Sequence, residues 1–375
     1  MTTATRQAET DQASAAFHVA LSQIGVETTA EALSLWAEVP AAQRAATAGG
    51  WLRRAISLVM GRRRQSRDLA RAYYRLARAL QTGTTVADPY HPEPAYVTLT
   101  ELRQQFAALA GGTYEPPASE PVGEAETAER GEASPAESTS PGSLPAPPGT
   151  PLPEDDEDED WERILVEEIE GLREEEERIE REAEEELRVV LDALGTSNLD
   201  KRLSQVDDGQ PARDADRQRE DAHRQAGAQQ AAAASRVAMN GGRSSTWTHM
   251  RRDQRALGYV RLSRTGTPCG FCAMLISRGV AYKSEASANF ADGDLFHDTC
   301  HCYAAPIFSR QQYGSSELFA LNREYEARWP EVTKGHSGKA ALTVWRRFIR
   351  QKQRDQQKAA AQEARQAAMT TAQEA

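Results

Sequence analysis

All four cysteines of this 375-residue chain fall between positions 269 and 302, as Cys269-x2-Cys272 followed after 24 residues by His297-x2-Cys300-x-Cys302. Thiolates and imidazole are good ligands for Zn²⁺, and two short ligand pairs separated by a loop let one ion clamp two distant pieces of chain. The spacing matters because only 39% of the chain is hydrophobic and its mean hydropathy is −0.66, too little for one large core. A Cys-x2-Cys turn, here flanked by Pro268 and containing Gly270, aims both thiols inward. In Cys300-x-Cys302, side chains two apart on an extended segment share one face, so His301 points away.

Five candidates therefore compete for four positions. Either His297 completes a site of three thiolates and one imidazole, leaving out Cys300 or Cys302, or it lies behind an all-thiolate site. A closed four-ligand zinc site is structural, whereas catalysis needs an open position for water. The competing readings are reduced cysteines acting as small core hydrophobes and a Cys269–His297 nucleophile pair. The chain contains no HExxH, G-x-S-x-G, phosphate loop or G-x-G-x-x-G.

Charge is distributed in blocks. Residues 154–187 carry 20 acidic and 4 basic side chains, a local balance of −16, while the remainder of this chain of net charge −11 is at +5. Such segregation points to separate segments with separate partners. The complementary block, Trp51–Arg78, holds Arg53, Arg54, Arg62, Arg63, Arg64, Arg67, Arg71, Arg75 and Arg78, several on one helix face. A face of this kind binds phosphates or acidic protein surfaces, or is solvated on a bundle helix. The acidic run reads as a spacer, a partner for a basic surface, or a solvated rod. No stretch approaches the length of about 20 apolar residues needed for a membrane span, and MTTATRQAETDQAS lacks a signal segment. A soluble protein made in the cytoplasm is expected, where clustered cysteines favour metal over disulfides.

The expected fold class is mainly α with a small α+β zinc-stabilised C-terminal module, in several segments with a disordered linker. Residues 1–112 read as a helical N-terminal domain, with Trp36, Trp51, Tyr73 and Tyr74 in its core, Asp68 opening one helix, Gly83 beyond its end, and a short helix Thr98–Leu109 stopping at Gly111-Gly112. Residues 113–153, rich in Pro, Ser and Glu, read as a disordered linker. Residues 154–194 form an acidic helix whose pairs Glu174–Arg178, Glu177–Arg181 and Glu184–Arg188 support it, with Glu176 and Glu186 interrupting its apolar seam. Residues 195–225 are a linker and helix start. The module at 226–312 begins with an Ala-rich helix ending at Gly241-Gly242 and a second helix capped by Ser244 or Ser245. Strands at ALGYVRLSR and around GVAYKS follow, and the His/Cys segment leads into YAAPIF. Residues 313–375 are a helical basic tail, in which Trp345–Arg350 is amphipathic and suited to a partner's groove.

The segment Cys269-Gly270-Phe271-Cys272, the Ser277-Arg278-Gly279 turn, Tyr282 with Ser284, Phe296-His297, Cys300-His301-Cys302 and Ala305-Pro306-Ile307-Phe308 resembles the C-terminal module of the phage MuF-like minor capsid (head morphogenesis) proteins, especially their actinobacteriophage branch. The resemblance covers roughly residues 230–310. Many members carry Asn and Arg around the final cysteines where this chain has Asp298-Thr299 and His301, which keeps the ligands but not a role for that arginine. The resemblance implies a low-copy virion protein in the capsid interior. It would act with the portal protein and with scaffold and major capsid proteins during assembly in the host cytoplasm, near the packaged DNA. Proteins resembling this one are also labelled capsid maturation proteases. That rival requires a nucleophile–base pair outside the cysteine cluster, with His18, His91, His223, His249 and His336 as available bases.

Overall fold

The computed structural model describes residues 2–117, 163–207, 209, 211–263, 268–282, 296 and 300–374. The expected linker lies outside these residues from position 118 onward, as do the leading acids 154–160. In chain order the elements are α1 (Thr3–Ala37), α2 (Arg44–Thr82), β1 (Thr84–Val86), β2 (Tyr96–Thr98), α3 (Leu99–Ala110), β3 (Arg163–Glu167), α4 (Leu172–Leu194), α5 (Thr196–Leu203), α6 (Ala212–Arg252), β4 (Gly258–Leu262), α7 (Gly270–Ile276), β5 (Ala281–Tyr282), β6 (Tyr303–Ile307), α8 (Arg310–Ser315), α9 (Ala320–Val332) and α10 (Gly338–Glu374). The mainly helical class with a small α+β part is thus the observed one.

Three long helices, α1, α2 and α6, pack side by side, and α4 lies against α2 and α6. Alanine and glycine make this approach possible. A Cβ on Gly227 would stand 2.4 Å from the Trp36 ring, and one on Gly241 2.3 Å from the Arg63 carbonyl oxygen. The expected helix stop at Gly241-Gly242 is therefore the closest approach of α6 to α2, and α6 runs through it without interruption; Ser244 and Ser245 lie inside the helix. Ser66 seals this crossing by donating to the Ala238 carbonyl at 2.5 Å and accepting from Gly242 N at 3.0 Å. At true helix ends glycine behaves as expected: Gly83 and Gly111 adopt φ of 75° and 61°. Thr98 closes a capping box with Glu101 at the start of α3.

Two three-stranded sheets flank the bundle. In the order β1-β3-β2, β3 runs parallel to β1 and antiparallel to β2; in the order β5-β4-β6, all pairs are antiparallel, with Tyr259 opposite Pro306 and Arg261 opposite Ala304. The second sheet rests on the bundle, so residues from 1–112 and 226–312 share one core. Phe17 stacks on Tyr73 at 4.5 Å, meets Tyr303 edge-on at 6.0 Å, and neighbours Val260 and Ile307. Trp36, Trp51, Tyr73 and Tyr74 are buried, as their spacing predicts.

The acidic segment departs from its sequence reading. Residues 163–167 are a strand, because Ile164 enters the core while the strand pairs on both edges, and helix begins only at Leu172. Part of the expected 195–225 linker is α5, whose Leu199 packs beside Leu187, Leu191 and Trp51. Asp68 lies in the middle of α2, where it pairs with Arg71 at 2.6 Å. Along α4 the ion pairs run from arginine to the following acid, Arg173–Glu177 and Arg178–Glu182, in place of the expected register. Glu176 does not interrupt a seam; it is buried as an ion partner of α2.

The buried part of the arginine face is paired in the same way. Arg63 donates to Glu180 at 2.9 Å, Arg71 to Glu176 at 3.3 Å, Arg75 to Glu93 at 2.7 Å and Arg78 to Asp253 at 2.6 Å, while Arg78 also reaches Glu167. All four guanidiniums are buried. Arg103 holds Glu9 in a two-pronged pair at 2.8 Å for each contact. Arg251 and Arg252 both grip Glu175 at the end of α6. Glu167, Glu176 and Glu180 of the acidic block are therefore partners of arginines in the basic block.

Two expectations follow. Gly241→Ala should lower stability by about 1–3 kcal/mol, because the new methyl meets backbone. Gly61→Ala, with nothing within 4 Å, should raise it by about 0.5–1 kcal/mol; denaturant midpoints of the two variants check the contrast. Acid should also act in two stages. Burial pushes the His249 pKa below 6.5, so the stability held by the neutral ring is lost as pH falls below that value. Hydrogen bonds, first from Arg255 and then Arg78, hold the Glu167 carboxyl down to about 2, so its contribution disappears between roughly pH 4.5 and 2. In pH-dependent unfolding curves, His249→Gln should flatten the first stage and leave the second.

Candidate metal centre

The site is built from two limbs. Cys269 caps the N-terminus of α7, its Sγ accepting from Cys272 N at 3.4 Å, and places Cys272 in the first helical turn with its thiol buried. Cys300 and Cys302 lie on the approach to β6, whose pairing with β4 fixes their position. The sulfurs of Cys272, Cys300 and Cys302 lie within 4.8 Å of one another, with Cys272 and Cys300 at 3.4 Å. A disulfide requires about 2.05 Å. Four sulfurs around one Zn²⁺ at about 2.3 Å stand about 3.8 Å apart by tetrahedral geometry. The three buried thiols are thus close enough to hold a single metal ion.

Cys269, more exposed, shares a hydrogen bond with Cys272 at the rim. His297 lies outside the described residues. His301 is exposed between its buried neighbours, and its carbonyl oxygen bonds His18 Nε2 at 2.6 Å. Hydrogen bonding from Cys272 holds the Cys300 thiol far below its ordinary pKa, while Cys272 is raised, first by its bond with Cys269 and then by that with Cys300. The trio therefore favours negative charge at Cys300.

The counter-charge sits beside it, at a residue that motif reasoning did not find. Arg243 of α6 is fully buried and donates to the Cys300 carbonyl oxygen and to Asn240 Oδ1 at 3.0 Å. Among the described residues no carboxylate pairs with it. Burial lowers its pKa to about 10, opposed by Cys300 and Cys302. Arg243 and Arg261 both lie over the Phe296 ring, at 4.2 and 4.1 Å. An isolated buried guanidinium is costly, so thiolate charge in this pocket offsets a penalty the fold already carries. The sequence does hold a trace of this: Arg261 sits in a strand buried along its whole length, and Arg243 follows glycines in the middle of a helix.

The other side is closed by the C-terminal helices. Trp345 and Ile349 of α10 and Tyr325 of α9 pack with the cysteines, Trp345 lying 5.7 Å from Tyr325 and 5.1 Å from Trp329. Gln353 reaches the Pro268 carbonyl oxygen at 3.1 Å. The apolar side of the Trp345–Arg350 segment, expected to face a partner, is thus occupied within the chain. The histidines considered as bases have structural roles or lie on the surface. His223 bonds the Val39 carbonyl oxygen, His249 is buried against the Ser245 carbonyl oxygen, and His91 and His336 are exposed.

The family described as VG15 protein, a phage virion-associated family, matches residues 204–328, about a third of the chain and the part that contains every cysteine. The similarity supports a phage structural protein and suggests a virion location. No curated protein and no solved structure matches the chain. No helix among the described residues is long and apolar enough to cross a membrane.

Removing a sulfur and removing the counter-charge should be separable. Cys272→Ser and Cys300→Ser should abolish bound metal, whereas Arg243→Met should weaken metal affinity about 10- to 100-fold while the thiols remain. Competition titrations against a chromophoric chelator give both outcomes.

Proposed function

We propose that this protein is a minor structural protein of the phage head, of the MuF-like kind, in which one zinc ion serves as a structural staple. The observation that carries the reading is that three buried, mutually close thiols fall inside the segment similar to a virion-associated family. Bound zinc would supply a strong link between two pieces of chain that are distant in sequence. Cys272, Cys300 and Cys302 would hold it, with the fourth position filled by Cys269 or His297. Arg243 would balance the charge, and Trp345 would keep water away. The metal would therefore fix α7 and the start of β6 as a platform for α9 and α10, leaving the helical bundle to attach to the portal during head assembly.

The test is elemental analysis of the purified full-length protein together with mass spectrometry of virions. One zinc per chain, a melting transition lowered by strong chelators, and a few copies per particle are expected. A metal-free protein indifferent to chelators overturns the staple, and absence from particles overturns the virion role.

A further inference from the structure

Arg63, Arg71, Arg75 and Arg78 of α2 are turned inward, but the arginines along one edge of α10 are not. Taking 100° per residue, Arg347, Arg350, Arg354, Lys358 and Arg365 fall within an arc of about 80° and extend over roughly 27 Å of helix. All five are exposed, and none makes an ion pair with a described residue. The acids of this stretch, Asp355 and Glu363, lie on other faces. The cation on the packed side, Lys352, is matched within the chain: it pairs with Glu324 at 2.5 Å and lies 4.7 Å over the Tyr325 ring. The stripe therefore faces solvent, opposite the side on which Trp345 and Ile349 seat the helix.

We infer that this stripe binds the phosphate backbone of duplex DNA without reading sequence. The inference deepens the virion reading by naming a partner for α10, and it does not depend on the metal. Three features select this occupant. A protein groove would engage large apolar or aromatic anchors, yet Phe348 and Ile349 at the start of the stripe pack against the thiol-rich core, and from Gln351 to Glu374 the only large apolar side chain is Met369. Single strands bind through stacking aromatics, and this stretch has none. A narrow helix of alanine, glutamine and short polar residues, with cations along one edge, fits beside or within a groove about 12 Å wide and meets phosphates in a row.

The test measures binding of the full-length protein to a 30-base-pair duplex across salt concentrations, with zinc content determined in the same samples. Five phosphate contacts predict a slope of log affinity against log salt of about −4.5. The triple variant Arg347→Gln, Arg354→Gln, Lys358→Gln, which alters only exposed side chains without described ion partners, should make it shallower by about 2.7. An unchanged slope in the variant overturns the assignment to this stripe. So does equal binding of polyglutamate at matched charge, which would indicate an acidic protein surface, or tighter binding of a single strand. Loss of these effects with zinc still bound would leave the staple intact, whereas loss of zinc with DNA binding retained would leave the stripe intact.

Discussion

The buried arginine–carboxylate ladder between α2 and its neighbours is the constraint on which the rest of the structure depends. Arg63, Arg71 and Arg78 lie at successive levels of one helix and hold acids from two other elements: Glu180 and Glu176 of α4, and Asp253 at the end of α6. Breaking one such buried pair typically costs about 3–5 kcal/mol, because it leaves a charge stranded where water cannot reach it. Alternative packings of alanine-rich helices differ little in apolar burial. Pairing by charge discriminates among them far more sharply, so the ladder fixes which helix lies beside which and in what register.

This explains how a polar chain builds a stable body. The apolar surface of α6 consists mainly of alanine, which contributes little per residue, but alanine and glycine let the backbones approach closely enough for long arginine side chains to span to their acids. Small residues and ion pairs are two parts of one arrangement. Enlarging Gly241 would widen the gap that Arg63 bridges, since the Arg63 backbone is what a methyl there would strike.

How much of this was legible in the sequence depended on the range of the interaction. Local chemistry read well: the short helix beginning near Thr98, Gly83 as a helix end, the strand around Tyr259, and the clustering of cysteines all depend on neighbours a few residues away. Gly241-Gly242 misled because glycine marks a helix end through backbone freedom and a close helix crossing through its missing side chain, and spacing alone does not distinguish the two. Glu176 misled for a related reason. A charge on an apolar seam looks like an interruption until its partner, Arg71, about a hundred residues away, is placed beside it. Arg243 was invisible to motif reasoning because its meaning comes from Cys300, which reaches it only in three dimensions.

The two ends of the chain treat positive charge in opposite ways, and the fold supplies the reason. On α2, Arg63, Arg71 and Arg78 face acids delivered by α4, β3 and the end of α6, so their charge is neutralised within a rigid body. On α10, the packed face is held by Trp345 and Ile349, and among the described residues no element brings acids to the far side. A helix seated by one apolar edge on a thiol-rich core presents its opposite edge whether or not a ligand is there, and the direction of that edge is set by whatever holds α7 and the start of β6 together. The aim of the stripe is therefore set by the packing of α10 against α7 and α9.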